Sequence, residues 1–225
     1  MEERLSYNYV VYAYRGEDEV VLKLGVPDTE LTSEVHALRH FDSRGAVQLL
    51  ESDSGRGMLL LERLRPGEEL TSVADDRERT KIAAQVMVQL RRSGVDDPRL
   101  LHIRDWLKGL ERHRARYGGS GQLDPVLFDT AMGLARELLR ETFEPTLIHG
   151  DLHHGNILSS NRGWVAIDPK GVVGPPEFEV GPLLLNRWGD IAQWGGFDRL
   201  MAERFDIISE VLQAITSHRA DGQPL

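Results

Sequence analysis

Five polar side chains carry the chemistry available to this chain. Asp151, Asn156 and Asp168 fall in TLIHGDLHHGNIL (146–158) and WVAIDPKG (164–171), and Lys23 and Glu34 lie far upstream. A carboxylate, an amide oxygen and a second carboxylate make a hard-oxygen set. Such a set suits Mg²⁺, which is usually held through one or two carboxylates, with positions left for water and substrate phosphates. Lys23 supplies positive charge to position those phosphates. A lysine buried between two lobes needs a counter-ion, and Glu34 is the candidate. Strand lysine, helix glutamate, an aspartate for the acceptor hydroxyl and two metal ligands together form a phosphoryl-transfer layout.

The elements that must hold these groups follow from the residue pattern. The apolar run into His149, the return at Ile157–Leu158 and the run Trp164–Ile167 read as strand, loop, strand, turn, strand, with Asp168 delivered at the end. Gly150 and Gly155 permit a tight path through the loop. Upstream, NYVVYAY (8–14) and EVVLKL (19–24) are rich in β-branched and aromatic residues and read as a hairpin. Alternation puts Lys23 on the face opposite Leu22 and Leu24. Asp28 is placed to cap a helix whose apolar stripe is Leu31, Val35 and Leu38. Val47–Leu50 and Met58–Leu61 read as two more strands, and Arg65-Pro66-Gly67 breaks the pattern.

Beyond that break the pattern is mainly helical. One helix carries Ile82, Ala83, Val86, Met87 and Leu90, and a second spans Ile103 to Tyr117. A third, capped by Asp124, presents Leu127, Ala131, Leu134 and Leu138 as its core stripe. A short helix is expected over Gly181–Trp188 and a last one through Met201, Phe205, Ile208 and Leu212, with a frayed tail from Ser217 to Leu225. The expected fold is α+β and two-lobed. Residues 1–64 form a small antiparallel sheet with one helix, and residues 65–225 a mainly helical lobe with the catalytic and metal loops.

HGDLHHGN and IDPKG resemble the catalytic and metal-binding loops of the aminoglycoside phosphotransferase family, within the protein-kinase-like fold. With VVLKLGVPDTELTSEVHAL, GMLLLERL and WVAIDPKGVVGPPEFEVGPLL, the chain is similar to the streptomycin 6-kinase and hydroxyurea kinase branch over about residues 7 to 212. The resemblance implies ATP and Mg²⁺ as cofactors. It implies that Asp151 orients the acceptor hydroxyl, that Asn156 and Asp168 hold the metal, and that Lys23, paired with Glu34, contacts the α- and β-phosphates. The backbone of Glu62-Arg63-Leu64 would hold the adenine at the interlobe hinge. Asp168-Pro169-Lys170 replaces the familiar Asp-Phe-Gly, as in the streptomycin kinase branch. Relative to the family the chain is expected to be shortened at both ends, which leaves the nucleotide-binding lobe incomplete. The implied reaction is transfer of the γ-phosphate of ATP to a hydroxyl of an aminoglycoside such as streptomycin. The alternatives are a kinase for another small polar molecule such as hydroxyurea, and an inactive nucleotide-binding remnant.

Bulk composition narrows the partners. The 225 residues are 40% hydrophobic and 28% charged, as in an ordinary globular protein. No apolar run approaches the ~20 residues of a membrane span. The N-terminus lacks a secretory layout, and with no cysteine there is neither a disulfide framework nor a thiolate site. A cytoplasmic location is expected. The net charge of −9 argues against a nucleic-acid partner and mildly favours a cationic one. Zinc at His149, His153 and His154 is disfavoured, because their spacing is crowded and no supporting motif is present. His149 is expected to brace the loop, with His153 and His154 partly exposed. Glu177, Glu179 and Asp190 either line a cationic substrate site or, for Glu179, cap the helix near Val180. Lys170 either touches phosphate or neutralises the acidic cluster.

Overall fold

The computed structural model describes residues 8–139, 144–185 and 196–220. Strands β1 (Tyr9–Arg15) and β2 (Asp18–Leu24) form the expected antiparallel hairpin. Helix α1 (Thr29–Phe41) follows, then β3 (Leu49–Asp53) and β4 (Met58–Glu62). The sheet order is β1-β2-β4-β3, so Lys23 of β2 sits between Val10 and Leu59 in a central strand. Asp28 caps α1 as its position predicts, with Oδ1 accepting from the Leu31 amide at 2.9 Å. Leu31, Val35, Leu38 and Phe41 of α1 share one core with Leu59 and Leu61 of β4. This packing presses α1 onto the sheet and brings Glu34 toward Lys23.

The third strand begins two residues later than its sequence suggests. The Val47 amide donates to the Ala166 carbonyl at 2.8 Å, and Ala46 bridges Ala166. These apolar residues are therefore used against the second part of the chain, not within the first sheet.

That second part holds two further small sheets. Its strands are β5 (Pro66–Glu69), β6 (Arg92–Ser93), β7 (Leu101–His102), β8 (Thr146–Ile148), β9 (Ile157–Ser160), β10 (Gly163–Ala166) and β11 (Val172–Gly174). One sheet has the order β10-β9-β5 and the other β6-β8-β11-β7. Helices α2 (Asp76–Leu90), α3 (Ile103–Tyr117), α4 (Pro125–Leu138), α5 (Val180–Leu185) and α6 (Phe197–Ala220) complete it. Of the short helix expected over Gly181–Trp188, residues 186–188 lie outside the described residues. So does the end of the tail, 221–225, while α6 itself runs to Ala220.

Helices α2 and α6 are joined by a buried ion pair. Arg204, 1% exposed, reaches Asp76 through Nη2–Oδ1 at 2.7 Å and Nε–Oδ2 at 3.0 Å. Its Nη1 donates to the Leu184 carbonyl at 3.0 Å, which also ties in α5.

Helix α4 presents a different face from the one its periodicity suggests. Leu127 and Leu138 are both 71% exposed and Leu134 is 55% exposed, whereas Phe128 and Met132 are buried. The cause is the partner helix. The Phe128 ring lies 5.4 Å from the His113 ring of α3 and carries the Arg114 guanidinium at 5.5 Å, and this contact fixes which stripe turns inward.

Candidate active site

The loop between β8 and β9 is held by contacts that leave its functional side chains outward. The His149 ring is fully buried. Its Nε2 donates to the Ile167 carbonyl at 2.8 Å, and its Nδ1 accepts from the Asp151 amide at 3.2 Å. Those partners select the neutral Nε2–H tautomer. Burial accordingly pushes its pKa down to about 4. His149 thus braces the loop, as its position suggests. Gly150 has φ +86°, and a Cβ there would lie 2.6 Å from Val172 Cγ2, so only glycine fits. Gly155 has no such demand. His154 is fully buried, not partly exposed, because the 3-10 turn His154–Asn156 points it into the core.

Glu179 carries the loop from beneath. Its carboxylate, 1% exposed, accepts from the amides of His149 at 2.5 Å, Gly150 at 3.1 Å and Leu152 at 3.2 Å. It is therefore turned toward the loop and has no exposed surface with which to line a substrate site. Burial raises its pKa to about 7, against the opposing pull of the three amides. Glu177 is exposed, and Asp190 lies outside the described residues.

Above this base the predicted groups meet. Lys23, 2% exposed, places Nζ at 2.6 and 2.8 Å from the two Glu34 oxygens and 3.0 Å from Asp168 Oδ1. Burial works against the ammonium, but the carboxylates of Glu34 and Asp168 outweigh it and raise the pKa, so Lys23 stays charged. The contact with Asp168 joins the two halves of the chain. Asp168 adopts φ +57°, a left-handed backbone uncommon for a non-glycine residue. Its flanks hold it there: the Ile167 amide donates to the Asn156 carbonyl at 2.9 Å, and the Gly171 amide to the His149 carbonyl at 3.1 Å.

Asn156 Nδ2 donates to the Asp151 carbonyl at 3.0 Å. The side-chain amide nitrogen is thereby engaged, which leaves the oxygen for a cation. Asp151 is half-buried. Burial raises its pKa, while His153 and Lys170 pull the other way. Lys23, Glu34, Asp151, Asn156 and Asp168 all line one cavity of about 800 Å³, together with Asp28, Glu30, His153 and Lys170. Glu62 and Leu64 are not among its lining. The Glu62 amide donates to the Gln48 carbonyl at 3.0 Å, and its carboxylate is held by Arg162, with Nη1 at 2.7 Å. Leu64 is buried in the core.

The residues fit Mg²⁺ and a polyphosphate. Asp168 keeps 44% of its side chain exposed and, with Asn156, offers hard oxygens beside a fixed ammonium. Among the described residues no group of three or more His, Asp or Glu side chains could hold a metal ion, so the zinc reading gains no support. Nor is any helix among them long and apolar enough to cross a membrane. Sequence reasoning placed Glu179 only near the site. The apolar context of that acid, in GPPEFEVGPLL, was the available signal.

Residues 5–219 match the pattern of the aminoglycoside/hydroxyurea antibiotic resistance kinases. A streptomycin 6-kinase of Streptomyces glaucescens is 34% identical over 197 residues, which cover 85% of this chain and 63% of that protein. A hydroxyurea phosphotransferase of Kitasatospora aureofaciens is 37% identical over 202 residues, 86% of this chain and 56% of that one. The chain thus spans less than two thirds of either relative. Among solved structures, a choline/ethanolamine kinase family protein from Mesorhizobium loti matches with a TM-score of 0.61 at 15% identity. The match covers 98% of this chain and 79% of that one, and places the fold among protein-kinase-like phosphotransferases.

Proposed function

The chain belongs to the aminoglycoside/hydroxyurea antibiotic resistance kinase family, and we propose that it transfers the γ-phosphate of ATP to a hydroxyl of a small cationic molecule of the streptomycin kind. One observation carries this reading: a single cavity collects the Lys23–Glu34–Asp168 ion cluster with Asp151 and Asn156. Residues 1–64 would serve as the nucleotide-binding lobe and 65–225 as the lobe that presents the acceptor. The hinge backbone at Glu62 and Leu64 would hold the adenine. A cytoplasmic location, where ATP is at hand, accords with this reading.

Asn156 and Asp168 would hold Mg²⁺, which when bound neutralises charge on the phosphates. Lys23, fixed by two carboxylates, presents its ammonium to the phosphates without reorganising. Asp151 faces the acceptor and orients its hydroxyl. Its raised pKa makes it a better proton acceptor than an exposed carboxylate. A loose phosphoryl-transfer transition state asks for positioning and charge compensation more than for covalent chemistry, and a loop pinned at His149 and Glu179 supplies positioning. The carboxylates of Asp28 and Glu30 on the cavity lining favour a cationic acceptor.

The higher identity to the hydroxyurea phosphotransferase supports a second acceptor, hydroxyurea. Incubation of the chain with MgATP and a panel of aminoglycosides plus hydroxyurea, read by mass, separates the two. A phosphate added to one of them, and lost in Asp151→Asn, is the expected result. No phosphorylated product from any member of the panel would overturn the reading.

A further inference from the structure

The cavity lining contains two lysines among the described residues, Lys23 and Lys170. Lys23 is held fast, as its ammonium contacts three carboxylate oxygens at 2.6–3.0 Å and is 3% exposed. Lys170 is not. Its Nζ makes an ion pair with Glu30 Oε2 at 2.8 Å, and the two side chains are 40% and 59% exposed. Pairs this exposed contribute ~0–1 kcal/mol, so a phosphate oxygen of greater charge displaces the carboxylate readily.

The backbone beneath Lys170 is fixed against the catalytic loop. The Gly171 amide donates to the His149 carbonyl at 3.1 Å, and the Gly171 carbonyl accepts from Ser33 Oγ at 2.6 Å. A Cβ built on Gly150 would sit 3.2 Å from Lys170 Cβ, so the lysine side chain starts beside the residue that precedes Asp151. Its charge is felt at the Asp151 carboxylate. A rigid base and a loosely held ammonium on a flexible four-carbon stem are what a residue needs to follow a moving charge.

We propose that Lys170 leaves Glu30 when nucleotide binds and places its ammonium on the γ-phosphoryl group, across from Lys23 and next to Asp151. Glu30 is then only the resting partner. The assignment rests on the nucleotide reading above and adds to it a second lysine, specific for the terminal phosphate. ADP lacks that phosphate, so binding alone reveals the contact, with no acceptor and no turnover.

The test is calorimetric titration of the intact chain with Mg²⁺ and either AMP-PNP or ADP, in wild type, Lys170→Met, Lys170→Arg and Glu30→Gln. Wild type should prefer AMP-PNP. Lys170→Met should cut that preference at least fivefold while the Kd for ADP moves less than twofold. Lys170→Arg should retain most of the preference, and Glu30→Gln should retain or raise it. An unchanged preference in Lys170→Met overturns the proposal, as does equal binding of the two nucleotides by wild type. A loss in Glu30→Gln as large as that in Lys170→Met also overturns it, because the pair is then merely a latch between α1 and the loop. Binding of neither nucleotide by wild type is a separate result: it refutes the nucleotide reading itself, and this assignment with it. Matching melting temperatures across the four proteins establish that each is folded.

Discussion

Replacing Glu179 by glutamine conserves volume and removes one acceptor oxygen from the base of the loop. Three amides point at the carboxylate, those of His149, Gly150 and Leu152. Whichever way the new amide turns, at least one of them faces an NH₂ group and loses its partner. An unpaired buried amide costs about 1–3 kcal/mol. Against this stands the burial of charge. A carboxyl raised from 4.5 to about 7 in the folded state corresponds to about 3 kcal/mol. The folded value is the raised one, so this contribution is complete below pH 4.5 and is lost as pH climbs through about 7.

At pH 5, therefore, wild type should exceed Glu179→Gln by about 1–3 kcal/mol. At pH 8.5 the gap should close or reverse, since glutamine never ionises. Urea unfolding of both proteins at the two pH values measures this, and the difference between them cancels every other titrating group. Activity should move the opposite way. At pH 8.5 the ionised carboxylate holds all three amides, and the variant should lose roughly 10- to 100-fold in kcat as Asp151 shifts. A stability gap that is independent of pH, or an unchanged kcat, refutes the reasoning.

Three further outcomes follow from the geometry. Asp151→Asn should lower kcat by about 10²–10⁴-fold while MgATP still raises the melting temperature, as a differential scan with and without nucleotide will check. Lys23→Met leaves the Glu34 carboxyl buried without its cation and should cost about 3 kcal/mol at pH 8 in urea unfolding. The cost should shrink at pH 5, because burial, outweighing Lys23, raises the Glu34 pKa and lets it take up a proton. On α4, Met132→Ala should cost about 2–5 kcal/mol and Leu134→Ala under about 0.5. Equal effects in thermal melts would contradict the inward face described above.

Much of the site was legible because its residues are specified locally. Asp151, Asn156 and Asp168 lie within one short stretch, and the alternation of β2 together with the cap at Asp28 places Lys23 and Glu34 without knowledge of the rest. What was missed depends on partners distant in sequence. Glu179 works by accepting backbone amides; its apolar context hints at burial, but nothing in the pattern says which amides it meets. Strands β5, β6 and β7 span two to four residues each, among them Pro66-Gly67-Glu68-Glu69. They exist because β8, β9 and β11 offer them ladder partners. Helix α4 carries two interleaved apolar stripes of nearly equal merit, and only its contact with α3 decides between them. Val47 reads as strand because it is apolar, yet its amide is claimed by Ala166.

Ser33 seats α1 against the segment that carries Gly171. Its hydroxyl donates to the Gly171 carbonyl at 2.6 Å and accepts from the Leu101 amide at 2.9 Å, and it lies next to Glu34 in α1. A Cβ on Gly171 would meet Ala37 at 2.6 Å, so helix and loop are seated without a gap. Rotating α1 outward would break both hydroxyl bonds and the Lys23–Glu34 pair in one motion. The helix is therefore delivered already docked, with its glutamate in place.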